Sequence, residues 1–227
     1  MNRRYWAAVV CAALLLSIPA IAGVTVGLPA DPGTGNCFPF GCAYSGEYQQ
    51  VYSQTQFTGP ITILDLEFFN TVANASATQM NSGNWTISLS TTSADWNTLS
   101  STYANNLGGN NTQVFSGNLN QPWAFGDTLH ITLTTPFTYD PAGGNLLMDV
   151  VVSGATTPGG DIFFDTNGFN GGGFNGNTFL GRVYGGGAVD SGYGLVTGFS
   201  NVPEPGSLAL LGTGLVGLFG AVRRRIL

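Results

Sequence analysis

Residues 137–150 have the sequence FTYDPAGGNLLMDV, and this stretch carries the clearest fold signal in the chain. The Asp140-Pro141 pair favours a turn, and a Gly-Gly pair follows it. Beyond the turn, the apolar residues Leu146, Met148 and Val150 occupy every second position, with Asp149 on the opposite face, and this is the two-residue period of a β-strand. The stretch therefore predicts a strand, a tight turn and a second, buried strand.

The same alternation recurs outward from this stretch. Within 62–68, Leu64, Leu66 and Phe68 alternate with Asp65 and Glu67, and the segments 85–90 and 129–133 repeat the pattern. Each segment predicts one buried and one solvated face. Further short candidates lie at 162–164, 181–184 and 193–199. Such segments, separated by Gly, Asn, Asp and Pro, predict an all-β fold, an antiparallel β-sandwich of the jelly-roll kind.

Two regions depart from this pattern. Ser93 is a suitable N-cap for a short helix in which Trp96, Leu99 and Tyr103 share one face, and Gly108 lies beyond its end. We expect this helix to cross over the sandwich. Residues 158–187 are rich in Gly and Asn, which predicts long surface loops of the kind that often bind ligands.

The charge of the body excludes one class of partner. Residues 23–201 contain no Lys, a single Arg and eleven Asp or Glu, a formal charge of 1 − 11 = −10. Nucleic-acid affinity depends on cations that contact phosphates, so DNA and RNA are excluded as partners. A body of 179 residues is long enough for one domain with a sizeable core.

The N-terminus has the pattern of a signal peptide. Arg3 and Arg4 precede an apolar stretch, 7–18, and Ala20-Ile21-Ala22 offers small residues to signal peptidase. We expect cleavage after Ala22, so that residues 1–22 are removed.

The C-terminus has three parts in a fixed order. Val202, Pro203, Glu204 and Pro205 come first, an uncharged apolar run of 15 residues from Leu208 to Val222 follows, and Arg223, Arg224 and Arg225 come next. A helix over about 206–222 would span a membrane, and the arginines would hold its end in the cytoplasm. A plain membrane anchor is one interpretation of this tail. The prolines, which forbid helix and strand pairing, suggest instead an accessible peptide for a processing enzyme.

This tail resembles the PEP-CTERM sorting signal, and the stretch 137–150 is similar to one found in exported proteins with that signal. The resemblance implies an exosortase, a membrane protease or transpeptidase of Gram-negative bacteria that make exopolysaccharide, as the processing partner. The inner membrane would be a transient location, before transfer to the cell surface or extracellular matrix. The same tail is also described as the C-terminal domain of ice-binding proteins, which would not make the body an ice binder.

Cysteine and calcium chemistry supply two structural expectations. Cys37 and Cys42 are spaced for a disulfide in an oxidising compartment, with Pro39 and Gly41 in the bend. Oxygen ligands crowd one Gly-rich loop and suggest a weak Ca²⁺ site; they are Asp161, Asp165, Asn167 and Asn170. The alternative is that these side chains are simply solvated. No other cofactor is expected.

The residues give no support to common enzyme designs. His130 is the sole histidine and lies on a strand position predicted to face solvent. Asp65 and Glu67 share one strand face and are a possible glycosidase pair, but acids on the surface of an acidic protein explain them more simply. We therefore expect a non-enzymatic protein.

Exposed aromatic rings point to an alternative function, a carbohydrate-binding module. Trp123, Phe169 and Phe174 are the candidates, with core or loop packing as the competing explanation. A glycoside-active enzyme or an ice-binding protein is further from the pattern. The expected domains are thus a signal peptide at 1–22, a β-sandwich at 23–201 and a sorting signal at 202–227.

Overall fold

The computed structural model describes residues 23–73, 77–157, 159–170 and 173–201. The predicted signal peptide and transmembrane helix lie outside these ranges. Gly23–Asn201 form one compact unit. Its strands are β1 (Val24–Val26), β2 (Gly35–Asn36), β3 (Gly46–Tyr52), β4 (Ile61–Phe69), β5 (Ser82–Thr92), β6 (Thr112–Gly117), β7 (Thr128–Tyr139), β8 (Asn145–Thr156), β9 (Phe164–Asn167), β10 (Phe169–Asn170), β11 (Gly173–Phe174), β12 (Leu180–Tyr184), β13 (Ala188–Ser191), β14 (Gly194–Leu195) and β15 (Thr197–Ser200).

All strand pairs are antiparallel, and the all-β prediction is confirmed. A six-stranded sheet has the order β13-β12-β3-β8-β5-β6, and a four-stranded sheet has the order β1-β15-β4-β7. Two smaller sheets, β14-β9-β2 and the hairpin β10-β11, lie apart from them in the pairing. Among the described residues, no helix combines the length and apolar character that a membrane crossing requires.

One hydrophobic core joins the two larger sheets. Tyr52 of β3 and Phe199 of β15 pack edge to face with ring centres 4.9 Å apart, so each sheet supplies one ring. Trp85 of β5 is also fully buried in this core. Burial of large aromatic side chains is the main favourable term that holds the sheets together.

The stretch 137–150 connects the two sheets. Its first strand, β7, pairs with β4 in the four-stranded sheet, whereas β8 pairs with β3 and β5 in the six-stranded sheet. A short 3-10 turn, Pro141–Gly143, makes the passage, and Asp140 caps it by accepting from Ala142 N at 2.9 Å. The Tyr139 hydroxyl donates to Gly144 O at 2.7 Å and ties the two ends of the turn.

The pairing of β4 differs from the predicted alternation. Ile61, Ile63, Leu66 and Phe68 are buried, but Leu64 is only half-buried because the register shifts between Ile63 and Asp65. The partner positions on β7 jump from Thr132 to Phe137 across Pro136, which has no N–H for the ladder. The spacing predicted that Leu64 shares a face with Leu66 and Phe68, and for Leu64 this prediction is wrong.

Other strand boundaries also differ from the prediction. The segment predicted at 162–164 begins as a strand only at Phe164, and the segment predicted at 193–199 is divided into β14 and β15. The strands β3 and β6 were not predicted. The strand β3 lies between β8 and β12, and five of its seven residues are buried, so its side chains do not alternate between water and core.

The predicted helix after Ser93 does not form. The segment contains a turn at 96–98 and a 3-10 helix, Tyr103–Asn106. Side chains bind the backbone in place of helical hydrogen bonds: Thr92 Oγ1 accepts from Ala94 N at 3.0 Å and Asn106 Oδ1 accepts from Ser100 N at 2.8 Å. Thr and Asn compete with helix formation in this way.

The segment does cross over a sheet as expected. Leu99 packs with Val51 and Leu147 on the outer face of the six-stranded sheet, beside Ala94 and Trp96. Asp149, predicted to face solvent, is consequently 8 % exposed. The six-stranded sheet is thus covered on part of its second face.

Candidate functional site

A cavity of about 510 Å³ opens at the two smaller sheets. Residues Gly33, Thr34, Gly35 and Asn36, at β2 and just before it, contribute one part of its lining. The other lining residues are Val72, Ala73, Phe163, Phe169, Phe174 and Tyr193. Within the part of the chain that the structure describes, no charged side chain lines this cavity. Its volume falls within the range of about 300–1,000 Å³ that small-molecule sites occupy.

Two of the aromatic residues predicted from the sequence meet here. Phe169 and Phe174 are paired across the β10-β11 hairpin, with ring centres 5.7 Å apart. Phe174 in turn packs on Tyr193 at 4.5 Å. Phe163 and Tyr193 were not predicted as site residues, because in the sequence each belongs to a short segment predicted to form a strand; the glycines on both sides of Tyr193 were a signal that could have identified it. We call the four residues Phe163, Phe169, Phe174 and Tyr193 the aromatic cluster.

The Gly-rich loops around the aromatic cluster are closely packed. A Cβ on Gly168 would lie 2.0 Å from Gly192 O, so these two backbones approach too closely for any other residue. Asn177 fixes the same region: its Nδ2 donates to Asn167 O at 3.1 Å, and its Oδ1 accepts from Leu180 N at 2.8 Å. The glycines here therefore allow close backbone contact, in addition to forming the loops that the Gly-rich composition predicted.

Arg182, the only Lys or Arg among residues 23–201, packs against the aromatic cluster. Arg182 is 1 % exposed, and its Nη2 lies 2.8 Å from Asp190 Oδ2. Its guanidinium carbon is 4.4 Å from the ring centre of Tyr184 and 4.5 Å from that of Tyr193. At these distances the guanidinium makes cation–π interactions with both rings, and the interaction with Tyr193 favours the observed position of that ring. Burial raises the pKa of Tyr193 above its ordinary value.

Trp123 does not join this cluster. Its side chain is 4 % exposed, and its ring packs on Phe164 with centres 5.6 Å apart. Of the two explanations offered for Trp123, core packing is the one that the structure shows: the ring belongs to the hydrophobic core, next to the isolated bridge between Gln79 and Pro122.

The four residues predicted to bind calcium have separate surroundings. Both carboxylate oxygens of Asp165 accept hydrogen bonds, from Thr71 N at 2.7 Å, Val72 N at 3.0 Å and Thr71 Oγ1 at 2.5 Å. Asn167 donates to Pro29 O at 2.7 Å, while Asp161 and Asn170 are exposed. Among the described residues, no three His, Cys, Asp or Glu side chains group closely enough to hold a metal. Calcium binding stays a prediction.

A carboxyl pair made of the half-buried Glu47 and the buried Asp149 was missed from the sequence. Gln49 faces Asp149 across β3 and β8, and its Nε2 donates to Asp149 Oδ1 at 3.1 Å and to Glu47 Oε1 at 3.4 Å. Burial, together with the charge of Asp149, raises the pKa of Glu47 to about 7, and burial also raises the pKa of Asp149. Asn106 of the crossover donates to Gln49 Oε1 at 2.9 Å, so the pair is linked to that segment.

The predicted solvent-facing residues of the four-stranded sheet are found on its outer side. The side chain of His130 is 61 % exposed, and its Nδ1 lies 3.7 Å from Glu67 Oε1. Asp65 accepts from Thr132 Oγ1 at 2.6 Å, and Glu67 accepts from Ser200 Oγ at 2.6 Å. Each carboxylate is thus engaged with a neighbouring strand residue.

The Cys37–Cys42 disulfide is present, with Cα atoms 5.1 Å apart. Gly41 N donates to Cys37 O at 2.6 Å inside the loop, and Ile162 N donates to Gly41 O at 2.8 Å from outside it. A Cβ on Gly41 would lie 1.9 Å from Ile162 O, so this position requires glycine. The disulfide loop is therefore held against the segment that leads into β9.

The tail was compared with known protein families. Residues 201–225 match the family model of the PEP-CTERM protein-sorting motif. The chain carries a PEP-CTERM sorting motif. Its match includes Val202 to Pro205 and the cluster Arg223 to Arg225, which confirms the resemblance.

The PEP-CTERM motif implies an exported protein that an exosortase processes at a membrane. It covers the tail alone, and no family model matches the body. A search of curated proteins found no match to the chain.

Proposed function

We propose that this chain is an exported, non-enzymatic protein that an exosortase processes at its C-terminus and that then functions at the cell surface or in the exopolysaccharide matrix of a Gram-negative bacterium. The PEP-CTERM motif at 201–225 is the observation that carries this proposal. Signal peptidase removes residues 1–22, and the apolar tail holds the precursor in the inner membrane until Pro203-Glu204-Pro205 is recognised.

The architecture of the body is consistent with this role. We interpret the two larger sheets, which share one core, as a β-sandwich of the jelly-roll kind. An acidic surface and an internal disulfide suit a protein that works outside the cell. The exposed His130 and the engaged carboxylates of Asp65 and Glu67 favour a non-catalytic body over a hydrolase.

A carbohydrate-binding module is the second candidate. The aromatic cluster beside the cavity favours it, because rings that expose their faces beside polar groups are a frequent arrangement in sugar-binding sites. Under this proposal the protein is sorted in the same way and then binds a polysaccharide through its body.

Mass spectrometry of the mature protein from its own host tests the sorting proposal. We expect the N-terminus at Gly23 and a C-terminus that lacks Arg223, Arg224 and Arg225. A Glu204→Ala variant should keep the arginines and accumulate in the inner membrane, whereas Asp161→Ala, a change of an exposed acid in the body, should be processed normally. A mature product that retains the three arginines would refute exosortase processing.

A further inference from the structure

Exposed aromatic rings concentrate at one place on the body. Phe163, Phe169 and Phe174 are all more than a third exposed, and all three line the same cavity. Single exposed apolar residues need no explanation, but a group that converges on one concave site indicates binding. Tyr193 lies beneath them, is buried, and is held by the paired Arg182.

The same cavity has polar groups in fixed positions. The Thr34 hydroxyl donates to Asp31 O at 3.1 Å and lies 3.3 Å from Thr166 Oγ1. Asn36 Oδ1 accepts from Phe38 N at 2.8 Å, which orients that amide. A pyranose ring has C–H faces that stack on aromatic rings and hydroxyl edges that need hydrogen bonds. A cavity that combines rings with oriented hydroxyl and amide groups suits both features, and pre-orientation lowers the entropy cost of binding.

Charge selects among sugars. The described lining carries no charged side chain. Two acids bind the backbone of lining residues: Asp31 Oδ2 accepts from Phe169 N at 2.7 Å, and Asp165 Oδ1 accepts from Val72 N at 3.0 Å. The body has a formal charge of −10, and its single cation, Arg182, is buried and paired with Asp190. A uronic-acid polymer would meet a negative field with no available cation to offset it.

We propose that the cavity between the aromatic cluster and residues 33–36 binds an uncharged pyranose oligosaccharide. This inference rests on the carbohydrate-binding candidate above, and it adds the location of the site and the neutral class of sugar. Phe169 and Phe174 provide the stacking surface, and Thr34 and Asn36 provide the polar contacts. Acidic exopolysaccharides are rejected.

Calorimetric titration of the full chain, purified in mild detergent, tests this proposal. The probes are four neutral hexaoses (cello-, laminari-, malto- and mannohexaose) and the acidic hexagalacturonate. We expect at least one neutral hexaose to bind and hexagalacturonate to show no heat. Phe169→Ala should weaken binding by about tenfold or more, since it removes one stacking ring, whereas Phe169→Tyr should retain it.

Phe125→Ala is the matched control, because Phe125 is exposed and does not line the cavity. It should leave the affinity unchanged. If Phe169→Ala does not fold, Phe163→Ala provides the same comparison. The proposal is overturned if no neutral hexaose binds at millimolar concentration, if hexagalacturonate binds more tightly, if the control weakens binding equally, or if only an apolar dye binds.

This outcome is separate from the sorting proposal. A mature protein that has lost its arginines but binds no hexaose would leave the sorting proposal intact and overturn the cavity proposal. A protein that binds a neutral hexaose but keeps its arginines would do the reverse.

Discussion

Arg182 and Asp190 face each other across β12 and β13, and their Nη2 and Oδ2 atoms lie 2.8 Å apart in a setting where Arg182 is 1 % exposed. The single arginine of the acidic body is therefore buried and paired with a carboxylate. Because both partners are removed from most solvent, the loss of one leaves an uncompensated charge. The guanidinium carbon of Arg182 also lies 4.5 Å from the centre of the Tyr193 ring.

Asp190→Ala should destabilise the protein by about 3 kcal/mol, since it leaves the guanidinium buried without its carboxylate. The double variant Arg182→Met with Asp190→Ala should lose less, because the buried charge is gone. Urea unfolding followed by tryptophan fluorescence measures both. Equal losses in the single and double variants would contradict this account of the pair.

Stability should fall as the pH rises through neutrality. The pKa of Glu47 is about 7 in the folded protein and 4.5 ordinarily, so the folded state binds that proton more tightly than the unfolded chain. The stability that the proton brings is complete below about pH 4.5 and is lost as the pH rises through about 7. The raised pKa of Asp149 acts with the same sign.

Glu47→Gln should flatten this dependence, because the amide resembles the protonated carboxyl at every pH. Free energies of unfolding in urea between about pH 5 and pH 8 test it. Glu67→Gln, a change of the other glutamate of the body, should keep the wild-type slope. A wild-type protein that becomes more stable over this range would show that the sign is wrong.

Gly181→Ala should displace the crossover from the six-stranded sheet. A Cβ at Gly181 would lie 2.2 Å from Trp96 O, and backbone cannot yield as a flexible side chain does. We expect a loss of about 2 kcal/mol and a red-shifted Trp96 emission. Gly59→Ala, where a Cβ meets open space, should be neutral or slightly stabilising. Similar melting temperatures for the two variants would contradict the close contact.

Asp165→Ala should cost about 2 kcal/mol or more whether or not calcium is present. Its carboxylate accepts from Thr71 N and Val72 N, and the change leaves these donors unpaired. Melting temperatures in EDTA and in excess Ca²⁺ test this, with Gln113→Ala, a change of an exposed residue outside the predicted calcium site, as a control. A wild-type protein that Ca²⁺ stabilises, together with a variant that it does not, would instead support the calcium site.

Much of the fold could be predicted where the structure of a segment depends mainly on residues that are close to it in the sequence. The alternation of Leu146, Met148 and Val150 predicts β8, and the turn at Asp140-Pro141 lies where its composition placed it. The helix predicted after Ser93 does not form, and local sequence could not show this. Its period was suitable, but Thr92 and Asn106 bind the backbone and the packing of Leu99 on Val51 and Leu147 requires only an irregular crossover.

The candidate site was only partly predictable. Phe169 and Phe174 stood out because large rings in a long Gly-rich region are conspicuous, whereas Phe163 and Tyr193 were assigned to predicted strand segments, although Tyr193 lies between Gly192 and Gly194. Trp123 had the same appearance of an exposed ring, yet it packs on Phe164. Which ring is buried depends on residues far away in sequence, and no local pattern records them.

The sequence alone determined that this protein carries a sorting motif and that its fold is all-β, since a sorting motif is recognised as a linear peptide and strand alternation is local. Tertiary structure decided that the stretch 137–150 passes from one sheet to the other, that Glu47 and Asp149 meet, and that rings from separate segments line one cavity beside Arg182. These relationships arise from long-range pairing and burial, which bring together side chains that the linear order keeps apart.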